Sequence, residues 1–94
     1  MNKKQVEKTI ESLSDFFDSH AFIRKYMKKY PKSYGVFISQ YKTLNAAHAQ
    51  IGKFLLENAP ELKIEYIGEI ESLNVLMNPV KNALWKKQTN PSKL

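Results

Sequence analysis

His20 and His48 are the only histidines in the chain, and there is no cysteine to join them as a base or a metal ligand. A zinc site needs three or four such ligands at set spacings. Neither an HExxH nor a CxxC pattern occurs, so no metal is expected. Nucleophilic catalysis requires a nucleophile, a base and an orienting acid within reach of one another, and the sequence offers no such set. His48 falls on an apolar helical stripe, where a hydrogen-bonded core histidine is the default. His20, beside Asp18, reads as a first-turn surface residue. Gly35, Gly52 and Gly68 are isolated, so there is no glycine-rich loop to cradle a phosphate. The expectation is a non-enzymatic protein with no catalytic residue and no cofactor.

Residues suited to binding are concentrated in FIRKYMKKYPKSY, where Arg24, Lys25, Lys28, Lys29 and Lys32 alternate with Tyr26, Tyr30 and Tyr34. A basic helix can follow a phosphate backbone while tyrosines stack on exposed bases. The same surface suits an acidic or helical protein. Tyr34, Tyr41, His48, Phe54 and Trp85 are candidate interface anchors, since Tyr and Trp are frequent at protein interfaces. The net charge of +6 rests on lysine, with Arg24 the only arginine. Lysine attracts anions diffusely, whereas arginine reads guanine edges with two hydrogen bonds. That balance favours a protein partner over a sequence-specific DNA site. Charge is also segregated. Residues 19–56 carry Arg24 and lysines 25, 28, 29, 32, 42 and 53 with no acid. Residues 57–71 carry Glu57, Glu61, Glu65, Glu69 and Glu71 against Lys63 alone. On one helix the first four of those glutamates would form a ridge, matched by the basic segment or left in solvent.

The elements that must position these residues read as helices. Val6, Ile10, Leu13 and Phe17 step by four and three, which predicts a helix from about Lys3 to Asp18. Asp18 or Ser19 then caps a second helix, which Pro31 ends. Ser33 opens the longest element. Tyr34, Phe37, Tyr41, Leu44, His48, Ile51 and Leu55 recur at steps of three and four, predicting one rod over about 33–58. Leu62, Tyr66, Ile70, Leu73 and Met77 predict another helix, with a short strand at Leu62–Tyr66 as the alternative. Asn78-Pro79 starts a last helix carrying Trp85.

Composition supports a folded domain. The hydrophobic fraction is 43% and the aromatic fraction 12%, too high for a disordered chain. No apolar run approaches the roughly 20 residues that span a bilayer. The N-terminal lysines are followed by no apolar signal segment, so a cytoplasmic protein is expected. The excess of Lys, Asn and Ile is the codon bias of an AT-rich genome, such as a phage or plasmid carries. In size, basic charge and helix count the chain is similar to the immunity proteins of small bacteriocins. That likeness rests on no motif and transfers no residue. It implies a role at the membrane surface.

Together these readings predict an all-α bundle of four to five helices around the rod at 33–58. Residues 1–88 form a single helical domain, and 89–94 a frayed tail. The expected function is that of a small regulatory or interaction protein that binds through helices, as a homodimer and with another protein. Nucleic-acid binding through Arg24–Lys32 is the first alternative, and membrane-surface action the second.

Overall fold

The computed structural model describes residues 1–88; the tail expected to fray lies outside the described residues. Five helices and three strands follow in the order α1 (Lys3–Glu11), β1 (Phe16–Asp18), α2 (Ser19–Lys29), α3 (Pro31–Ile38), α4 (Leu44–Glu57), α5 (Ala59–Leu62), β2 (Ile64–Leu73) and β3 (Pro79–Lys87). Local chemistry sets most of these boundaries. The Asn2 side chain accepts from Gln5 N–H at 3.1 Å to open α1. Asp18 accepts from Ala21 N–H at 2.7 Å to open α2, as expected for a short polar residue with its backbone still extended. Pro31 occupies the first turn of α3, where its missing N–H leaves no bond unmade. Thr43 caps α4 through Ala46 N–H at 3.1 Å.

The strands form one antiparallel sheet in the order β1-β3-β2. Phe17 faces Trp85 across one ladder, and Tyr66 faces Trp85 across the other. Trp85 therefore sits at the middle of the sheet, against the core of Val6, Ile10, Phe22, Ile23, Tyr26, Ile51 and Leu55. The β2–β3 hairpin closes through a loop held by Asn74, whose Oδ1 accepts from the N–H of both Leu76 and Asn78 at 2.9 Å. Met77 is left-handed there, at φ 65°. Only Ile64 and Trp85 of the hairpin strands are buried. The rest runs out past the core, in a molecule of 44 × 27 × 21 Å.

The fold is mixed α/β, which overturns the all-α helical bundle. Three strands stand where helix was expected, β1, β2 and β3. The segment 60–77 carries apolar residues at helical steps, yet 64–73 is a strand. A bulge between Tyr66 and Gly68 shifts the register by one residue and breaks the two-residue alternation that marks a strand. The alternative of a short strand at Leu62–Tyr66 caught its beginning. Trp85 lies on β3 rather than on a last helix, and Phe17 on β1 rather than at the end of the first.

The rod at 33–58 is also two helices. The chain leaves α3 after Ile38, where the Ser39 hydroxyl donates to Val36 O at 2.7 Å, and restarts at the Thr43 cap. The heptad-like spacing persists across the break because both helices bury their stripe in the same core. Tyr34 from α3 and Ile51 and Leu55 from α4 are all buried there.

Candidate functional site

A cleft of about 480 Å³ opens between α2, α4 and the β2–β3 hairpin. Its polar lining includes His20 from α2, His48 and Asn45 from α4, and Lys81 and Asn82 from β3, while Ile23, Leu56, Leu76, Val80, Tyr66 and Trp85 supply apolar surface. No Asp or Glu lines it. The sequence treated the two histidines as unrelated, a core residue and a surface residue. The structure brings both to one cavity wall.

Asn82 fixes one side of the site. Its Oδ1 accepts from His20 N–H at 2.9 Å, and its amide donates to Ser72 Oγ at 3.0 Å and to Ile70 O at 3.1 Å. One side chain thus joins an otherwise unpaired N–H in the first turn of α2 to both hairpin strands. Ser72 Oγ lies 2.9 Å from His20 Nδ1. Asn82 donates to that oxygen, which leaves the serine hydrogen available to Nδ1; with that bond made, the imidazole N–H is on Nε2. His20 is buried, and among the described residues no polar side-chain atom sealed from solvent lacks a partner. Its Nε2, with no partner among the described residues, therefore reaches the solvent of the cleft.

His48 is held from the other side. Its Nε2 lies 2.7 Å from the Tyr34 hydroxyl. Burial holds the Tyr34 phenol above its usual range, so it stays protonated and donates. The His48 proton is then on Nδ1. Burial first, and the neighbouring His20 second, push the His48 imidazole below the ordinary histidine value, so it is neutral at pH 7. The site presents an imidazole N–H from each histidine and the Lys81 side chain.

The residues singled out for binding do not assemble into one surface. Arg24, Lys28, Lys29 and Lys32 are exposed and Lys25 is half-buried. Arg24 donates to Leu73 O at 2.6 Å, which ties α2 to the hairpin. Tyr26 is buried, stacked on Phe22 and donating to Gln5 Oε1 at 3.1 Å; Tyr30 leans on it from the end of α2. Tyr26 is therefore unable to stack on a partner's bases. Tyr34 and Trp85 belong to the core, while Tyr41 and Phe54 share a separate shallow groove with Phe37 and Lys53.

The acidic ridge dissolves as well, because Glu57, Glu61 and the pair Glu65 and Glu69 fall on α4, α5 and β2. The ion pairs among the described residues are Lys3 with Glu61 and Lys53 with Glu57, so none of the five cations of the basic segment forms one there.

Asn82 and Ser72 escaped the sequence reading, and Gly52 and Lys81 were given no part in a site. Their roles arise only when the hairpin closes over α2 and α4, and no periodic signal marks them.

Among the described residues, no helix is long and apolar enough to cross a membrane, and no group of three or more His, Cys, Asp or Glu side chains could hold a metal ion together. No protein-family model matches the chain, and it has no significant match among curated proteins or solved structures.

Proposed function

We propose that the protein is a small non-enzymatic interaction protein whose docking element is the β2–β3 hairpin. One observation carries this reading: Tyr66, Ile67, Ile70, Leu73, Leu76, Met77 and Val80 stand between 41% and 69% exposed. Single exposed apolar residues need no explanation, but seven gathered on the two faces and the loop of one hairpin are more than scattered exposure, and they favour an interaction element. The outer edge of β2 pairs with no other described strand, and the outward backbone groups along this ten-residue strand are a template for an added strand.

Charge selects the occupant. A two-fold pairing of β2 with its own copy, centred anywhere from Ile67 to Glu71, sets a glutamate opposite a glutamate, and like charges so placed are destabilising. A partner segment that alternates apolar residues with Lys or Arg meets both features of the edge.

The test is site-specific photo-crosslinking in the native host, with the reactive residue at position 70 or, as a control, at Lys8 on α1. The reading expects one protein joined at 70 and not at 8, through an extended basic segment, and lost on Ile67→Asp. Cross-links equal at both positions would contradict it. The unpaired cations on α2 support a second reading, nucleic-acid binding. In that case capture is abolished by nuclease and falls steeply with salt, with Ile67→Asp having no effect.

A further inference from the structure

We propose that the cleft is a binding site for a small organic carboxylate, an apolar body carrying one negative charge, held by His20, His48 and Lys81. This inference does not rest on the docking role of the hairpin, although Tyr66, Leu76 and Val80 belong to both surfaces. The cavity volume of about 480 Å³ lies within the usual range for small-molecule sites. Its character is also typical of such sites, mostly apolar with a few convergent polar groups.

The sign of the ligand's charge follows from the lining. Among the described residues that line it, Lys81 is the one with an ionised side chain, and none is a carboxylate. Its cross-strand neighbour is Glu71, yet no ion pair forms between them. A single ammonium beside two imidazole N–H donors suits one negative charge spread over two acceptor oxygens. A phosphate dianion would call for more cations or an arginine fork, and Arg24 is engaged with Leu73 O outside the lining. The donors are held ready before any ligand arrives. Ser72 and Asn82 orient the His20 ring, and Tyr34 orients the His48 ring. Opposite them, Ile23, Leu56 and Trp85 offer apolar wall for the ligand body.

Gly52 supplies the means to test this without touching a binding residue. It lines the cleft from α4, and a Cβ built there meets no atom within 4 Å. Leucine at 52 therefore extends into the cavity while improving the helix, because glycine is the poorer helix former.

Trp85 is the only tryptophan and lines the cleft, so its fluorescence reports occupancy. The experiment titrates the full chain with octanoate and, in parallel, with octanamide, following Trp85 emission and the imidazole ¹⁵N signals of His20 and His48. The expected result is saturable octanoate binding that shifts both histidines. Octanamide and Lys81→Met should each weaken binding roughly tenfold or more, the usual loss with a charged hydrogen-bond partner. Gly52→Leu should abolish it with no loss of melting temperature. The proposal is overturned if octanoate fails to saturate, if Gly52→Leu binds it as well as the parent chain, or if octanamide binds equally.

Discussion

Trp85→Ala is expected to destabilise the protein by about 3–5 kcal/mol, the usual cost of deleting a buried tryptophan. Trp85 is 1% exposed and sits where both ladders meet. Its indole N–H donates to Ser19 Oγ at 3.0 Å, and its ring meets that of Tyr66 edge-on at 5.8 Å. Removing it opens a cavity under the sheet and strips the partner from a buried serine at the start of α2. A chain of this size has a modest core, and domains are commonly stable by only about 5–15 kcal/mol. The loss should therefore leave the variant partly unfolded at 37 °C. Urea unfolding followed by far-ultraviolet circular dichroism checks it. Trp85→Phe keeps most of the volume and forfeits the N–H, so it should fall between the parent and the alanine variant. A loss below about 1 kcal/mol for Trp85→Ala would mean the indole is not in the core.

Asn82→Ala should cost about 2–3 kcal/mol, a large value for a half-buried polar residue. Three hydrogen bonds disappear together, each worth about 1 kcal/mol net, and the N–H of His20 is left without its acceptor. Asn82→Asp separates the contributions. It retains an acceptor for His20 N–H but not the donors to Ser72 and Ile70, so it should recover part of the loss. Unfolding curves of the two variants against the parent give the comparison. If alanine and aspartate cost the same, the bond to α2 is not the main contribution. If neither costs more than about 0.5 kcal/mol, the hairpin is not anchored through Asn82.

The helical first half of the fold was largely legible, and the sheet was not. Val6 and Ile10, Phe22 and Tyr26, and Ile51 and Leu55 recur at helical steps because each helix has one buried side. Asp18 and Pro31 marked boundaries because their effect on the backbone is local. The break at 39–43 was invisible to spacing alone, since α3 and α4 bury into one core and keep a common rhythm. The capping hydroxyl of Thr43 was the available sign. In β2 the bulge masked the alternation, and with its outer residues in solvent no burial pattern enforced it. The site was the least legible part. His20, Ser72 and Asn82 are separated by up to 62 positions in their hydrogen bonds, and only chain closure brings them together.

The central claim is that His20 and His48 are fixed donors in one cleft. Long-range ¹H–¹⁵N spectra of the imidazole nitrogens at pH 7.5 test it most directly. The structure predicts opposite tautomers: His20 protonated on Nε2 and His48 on Nδ1, the latter form set by the Tyr34 hydroxyl. On acidification His48 should stay neutral to lower pH than an ordinary histidine, because burial disfavours its charged form. Tyr34→Phe should release His48 to the Nε2-protonated form while His20 is unchanged. Two rings of the same averaged tautomer, with His48 titrating at the ordinary histidine value, would show that both lie free in solvent and that the cleft does not hold them.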